Sequence, residues 1–290
     1  MHRLITLILF ELNKILSRKK ALLFLFALNV IPLIAAIGLL IAYVKFNSLG
    51  YGQLSYSMLY EAVKNLFTIH FKLFSLISPF FLALIVGDSF STEFGRGYMK
   101  MLLLTPVKRW QVISAKTAAV MIFLVIAVLI GGFLLQCDLY IAKALTKSDI
   151  GEMANAGAIV SAGSAFQLLL LSLVGNLMIT GYFIVFSLFF ESAIMMAFTA
   201  LTVLMMIHAF YFIVQNLFIH IDPWYSKLAE WCFTRHSDTL FSFGTISGIL
   251  DKTKTIMTEE IMQSAMASLA WAALFFAVAL FIFSKKQILH

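Results

Sequence analysis

Apolar residues gather along the chain into six long runs, approximately Leu22 to Val44, Ile69 to Val86, Val112 to Leu135, Phe166 to Phe190, Ala193 to Val214 and Ser264 to Phe283. A helix rises about 1.5 Å per residue, so about 20 apolar residues cross a hydrocarbon core about 30 Å thick. Each run is long enough. None alternates apolar with polar residues, as a barrel strand with one wet face must, so the runs predict helices. The expected fold is all-α and membrane-integral: a single domain over residues 1–290, with six spans. Polar residues between the runs predict the connections. The fourth and fifth spans meet in a tight turn near Glu191 and Ser192. Three connections are long: Lys45 to Thr68, Gln136 to Ala165 and Gln215 to Gln263.

Residues 1–20 follow a different period. Leu4, Ile5, Ile8, Leu12, Ile15 and Leu16 form an apolar face, and Arg3, Glu11, Lys14 and Arg18 are assigned to the polar one. As the start of a first span, this stretch would put Glu11, Lys14 and the Arg18-Lys19-Lys20 cluster in lipid, at a cost of about 3 kcal/mol per charge. It is therefore expected to lie in the membrane interface. The run that follows is too long for a cleavable signal and has no small-residue cleavage site after it. In the last connection, PWYSKLAEWCF carries Trp224, Tyr225, Trp231 and Phe233, which suit a membrane–water boundary and predict short helices resting on the leaflet.

Composition agrees with the pattern. The chain is 62% hydrophobic and 12% charged, against about 45–50% and 25% for soluble domains. Its net charge of +7 raises the question of nucleic-acid binding. The positions of the charges answer it. Twelve basic residues, from Arg3 to Lys286, fall on the side of the N-terminus with only four acids, Glu11, Asp88, Glu93 and Glu191. This asymmetry places both termini in the cytoplasm and accounts for the charge with no nucleic-acid partner. The expected location is a cell inner or plasma membrane, crossed several times.

One cytoplasmic segment, residues 88–110, is both charged and apolar. Glu93, Arg96, Lys100, Lys108 and Arg109 cannot enter lipid, and Met101 to Leu104 are poorly suited to water. A short helix under the membrane satisfies both, with Gly95 and Gly97 permitting a tight turn or the close approach of another backbone, and Pro106 ending the element. On this reading Glu93 and Arg96, three apart, share an exposed face. A solvated loop that only sets topology is the alternative.

The stretch from Glu93 to Lys116 resembles the signature of the type-2 ABC exporter permeases: Glu93, Gly95 with Gly97, Leu102 with Leu103, Pro106 with Arg109, then Lys116 opening the next span. Glu11 followed by Arg18 is similar to that family's interfacial helix. The resemblance implies a permease subunit working as a dimer of permeases, most simply a second copy of this chain. Each permease is docked on an ATPase through the 88–110 segment, with Glu93, Gly95, Arg96, Gly97, Lys100, Pro106 and Arg109 as coupling residues. Glu11, Lys14 and Arg18 belong to the interfacial helix. Hydrophobic or amphipathic cargo, such as a drug, peptide or lipid, is implied. The chain has no G-x-x-x-x-G-K-[ST] loop, so ATP and Mg are expected on the partner ATPase and no cofactor on this chain.

No catalytic constellation is visible, and no enzyme activity is expected of the chain alone. Six histidines show no metal-ligand spacing, with His70 and His208 read as single residues in their spans. Cys137 and Cys232 are thin evidence for a disulfide. Glu259 and Glu260 read as a helix start after Thr258. Lys72 and Lys116 are expected to snorkel to opposite boundaries, leaving no ionisable group at the midplane to drive a secondary transporter, the alternative function along with a membrane immunity or assembly role. Ser75, Asn176, Thr180 and Thr199 are candidates to line a pathway or to glue helices. The first and fifth spans, apolar all round, are expected to pack against a second copy.

Overall fold

The structure, a computed structural model, describes residues 2–48, 56–98, 107–145, 162–214, 224, 230–250 and 257–285. Within them the chain forms helices and no strand. The long ones are α2 (Lys19–Ser48), α3 (Tyr56–Ser89), α5 (Arg109–Leu145), α6 (Ala162–Ser187), α7 (Ala193–Ile213) and α10 (Glu259–Lys285). Between them lie the short α1 (His2–Leu16), α4 (Ser91–Gly95), α8 (Phe233–Leu240) and α9 (Phe243–Leu250). Among the described residues, five segments are long and apolar enough to cross a membrane: Ser75–Gly95, Arg109–Gly131, Phe166–Ser187, Ala193–Ile213 and Glu259–Lys285. The chain is a multi-pass, all-α membrane protein. The first expected span coincides with α2, a continuous helix of 30 residues.

Element boundaries follow local chemistry. α1 and α2 are separate helices, broken at Ser17 and Arg18, where Arg18 N–H turns to Ile15 O (3.1 Å) and Ala21 N–H to Arg18 O (3.0 Å). The expected interfacial helix is thus distinct from the long helix after it. α3 continues through Asp88 to Ser89 and α5 begins at Arg109, so the ends of the 88–110 segment belong to the long helices. α10 starts at Glu259, two carboxylates in its first turn favouring the exposed amides there.

Helices meet through small residues and aromatic rings. Ala193, Met196, Ala197, Ala200 and Leu204 form the buried stripe of α7. Gly87 of α3 sits against it so closely that a Cβ there would lie 3.0 Å from Ala193, the close helix crossing that small residues permit in lipid. Phe24 reaches Phe81 and Phe123 at 5.1 and 5.8 Å between ring centroids, joining α2, α3 and α5. One buried polar chain joins α3 to α6. Ser78 donates to Asn176 Oδ1 (2.6 Å), Asn176 to Ser172 O (2.8 Å) and Thr180 to Asn176 O (2.7 Å).

The α8–α9 hairpin corrects one expectation. Phe233, assigned to the membrane boundary, lies inside the bundle, its ring 5.5 Å from Tyr182, 5.4 Å from Phe275 and 6.0 Å from Trp271. Tyr182 is five residues from the end of α6 and Phe275 ten from the end of α10, about 8 and 15 Å along each axis. The hairpin therefore packs into the bundle, while most of the stretch before it, Tyr225 included, lies outside the described residues. Phe241, at its turn, presses on Gly175, where a Cβ would meet the ring at 2.5 Å. Lys72, expected to snorkel, donates to Phe241 O (3.2 Å).

Candidate functional site

α1, α4 and α5 come together around a buried cluster of charge. Lys116, seven residues into α5, is completely buried, and its ammonium donates to Glu11 Oε2 at 2.8 Å and Glu93 Oε2 at 2.6 Å. Glu11 and Glu93 are themselves buried. The other oxygen of Glu93 accepts from Lys14, with Arg18 at 3.8 Å. Asp88, at the end of α3, takes Lys20 at 2.9 Å and Arg18 at 3.9 Å. Two buried carboxylates are thus matched by the two ammonium groups of Lys116 and Lys14. Such a set is tolerated in an apolar surrounding only when every charge has a partner at hydrogen-bond distance.

Three expectations are corrected here. Glu11 was assigned to the exposed polar face of α1; it is buried beside Ile15. Glu93 was assigned to an exposed face with Arg96; it is buried and pairs with Lys116 and Lys14, while Arg96 is exposed. Lys116 was expected to snorkel; it ends inside the protein, about 10 Å along α5 from Arg109. The spans therefore do hold a buried ionisable group, near one end of the bundle.

α4 is fixed by more than charge. Ser91 donates to Ser187 O at 3.0 Å, and Phe94 meets Phe283 at 5.9 Å between centroids. A Cβ on Gly95 would stand 2.6 Å from Glu191 O, so only glycine lets α4 lie on the α6–α7 turn. At Gly97 a Cβ would meet nothing, but φ is +73°, a left-handed turn that other residues adopt at a cost of about 1 kcal/mol. The close approach and the turn, which the sequence left shared between the two glycines, are divided between them.

Arg109 stands apart from this cluster. It donates to Ser284 O at 3.1 Å, near the end of α10. Lys100 and Pro106 lie outside the described residues. The four pathway candidates are not brought to one place: Ser75 is on α3 and donates to Lys72 O, Asn176 and Thr180 are buried in α6, and Thr199 is half-buried on α7.

Beside the charges opens a cavity of about 560 Å³, lined by Phe10, Lys14, Arg18, Asp88, Arg96 and Tyr98 among others. Phe10 and Tyr98 are exposed. On α1, Ile5 and Leu9, four apart, are exposed along one side, the side suited to lipid, while Leu12 and Leu16 pack against the core. Phe10 and Lys14, four apart, lie on another. The cavity thus opens away from Ile5 and Leu9. No group of three or more metal-ligand side chains occurs among the described residues, and the arrangement holds no nucleophile with an adjacent base. It is suited to mechanical attachment: one ammonium ties together helices whose residues are 105 and 23 positions apart.

No protein-family model matches the chain, and no curated protein matches it. The resemblance of Glu93 to Lys116 accordingly stands on those residues themselves.

Proposed function

We propose that this chain is the membrane-spanning permease of an ATP-driven ABC transporter, exporting a hydrophobic or amphipathic cargo. In this reading α2 is the first of six spans, both termini are cytoplasmic, and two copies pair in a bacterial cytoplasmic membrane. A separate ATPase, carrying ATP and Mg, docks on the 88–110 segment. The observation that carries the reading is the way α4 is held. Glu93 and Gly95 fasten it to α1, α5 and the α6–α7 turn, while Arg96 and Tyr98, immediately after it, are exposed beside a cavity on the side away from lipid. A push on that surface moves three long helices together.

An ion-coupled carrier is the reading that Lys116 itself favours. Against it, Lys116 lies near one end of α5 and is doubly paired in a fixed structural set; carriers place coupling groups near the midplane.

Because Glu93 is buried, Arg96 is the residue that separates docking from folding. In vesicles containing the chain and an ABC ATPase that co-purifies with it, Arg96→Glu is expected to leave the melting temperature unchanged. It should lower ATPase binding and cargo-stimulated ATP hydrolysis about tenfold, the scale of one lost charge-assisted contact. Unchanged binding and hydrolysis would overturn the docking assignment. Cargo movement driven by an ion gradient, with no ATPase present, would favour the carrier.

A further inference from the structure

We propose that the face shared by α7 and α8 lines a water-filled cleft within the bilayer thickness and holds the cationic end of an amphipathic molecule. His208 Nε2 of α7 faces Asp238 Oδ1 of α8 at 3.4 Å, and three residues away Arg235 faces Glu230 at 3.5 Å. His208, read from sequence as a lone histidine, also approaches Leu204 O at 3.1 Å through Nδ1.

Depth gives these pairs their meaning. His208 is fifteen residues into the 21-residue α7, about 22 Å from its start and about 8 Å short of its end. That is within a hydrocarbon core about 30 Å thick. At this depth the side chains are far from sealed: His208 and Asp238 are 35% and 48% exposed, Arg235 and Glu230 37% and 59%. Charges facing acyl chains cost at least a few kcal/mol each, and in spans they face protein or water. We take the half-exposed charges to face water, with the second copy on the other sides of α7.

Its chemistry selects the ligand. In both pairs the carboxylate is more exposed than its basic partner, so the outward face of the cluster is negative and receives a cation. Met205 and Phe212, three before and four after His208 on α7, are exposed beside it, offering apolar and aromatic surface to the rest of such a molecule. The inference requires that the chain spans a membrane. It does not depend on the docking of an ATPase.

Two measurements on the full chain, free of any ATPase, test it. In a variant with Cys137 and Cys232 replaced by serine, Asp238→Cys should react with a membrane-impermeant cationic methanethiosulfonate at least about tenfold faster than Met206→Cys, since a thiol in lipid does not ionise. Met206 lies at similar depth on another side of α7. In nanodiscs, tetraphenylphosphonium should bind saturably above protein-free discs, and about tenfold more weakly to Asp238→Asn and Glu230→Gln, each shown to be folded by its melting curve. Equal labelling of the two thiols overturns the wet cleft. Non-saturable binding, or binding indifferent to both carboxylates, overturns the cation site.

Discussion

α4 and α8 solve one problem by opposite means. With five and eight residues, neither is long enough to be stable alone, and each is held by long helices around it. α4 is held by direction: carboxylate to ammonium, hydroxyl to carbonyl, and glycine against backbone. α8 is held by area, with Phe233 packed among Tyr182, Trp271 and Phe275. Directional contacts fix one relative position and fail when one partner is lost. Ring packing keeps most of its contact area through small displacements. A short helix that must transmit movement is better served by the first, and one that must yield to it by the second.

The comparison can be broken most severely at Lys116. Lys116→Met leaves Glu11 and Glu93 buried with Lys14 and, at 3.8 Å from Glu93, Arg18 as the remaining cations close to them, a loss of about 3–5 kcal/mol. It is expected to appear as a large fall in melting temperature in detergent. Neutralising the set together, by Glu11→Gln and Glu93→Gln in the Lys116→Met background, should recover most of that loss; failure to recover would mean that packing, and not charge, holds α4. Next, Phe233→Ala should cost about 3 kcal/mol, at the lower end for a buried ring because the three remaining aromatics can close on the space. A smaller loss than that of Gly95→Ala would reverse the roles assigned to the two helices. Gly95→Ala should cost about 2 kcal/mol, since its new methyl meets backbone that must move. Gly97→Ala, with open space but a left-handed turn, should cost about 1 kcal/mol. Equal effects at the two glycines would remove the distinction between close approach and turn.

Much of the fold was legible because lipid simplifies the code. Continuous apolar runs have few meanings, and five of the six coincide with segments fit to cross a membrane, while α2 covers the sixth. That a separate helix precedes the first long one followed from charges that lipid would reject, although the break falls at Ser17 and Arg18, so that Lys19 and Lys20 open the long helix. The site was less legible. A helical wheel ranks Glu11 by polarity and sends it outward, since no local pattern shows that Lys116, 105 residues later, neutralises it. Glu93 was misplaced for the same reason. Aromatic residues near polar ones read equally well as a boundary belt or as a core, and Phe233 proved to be core. His208 looked solitary because its partner lies thirty residues on, in another helix. In each case the missing information was a long-range pairing.

The order of synthesis adds a consequence to the Lys116 cluster. Glu11 and Glu93 both precede Lys116 in the chain, so when the third long helix leaves the ribosome its counter-ions have already been made. On the proposed topology Glu11 belongs to an interfacial helix and Glu93 lies at the very end of its apolar segment, where water can solvate both while they wait. The ammonium, the member carried furthest into an apolar segment, is the last to arrive and on that topology never has to sit in lipid waiting for a partner not yet translated.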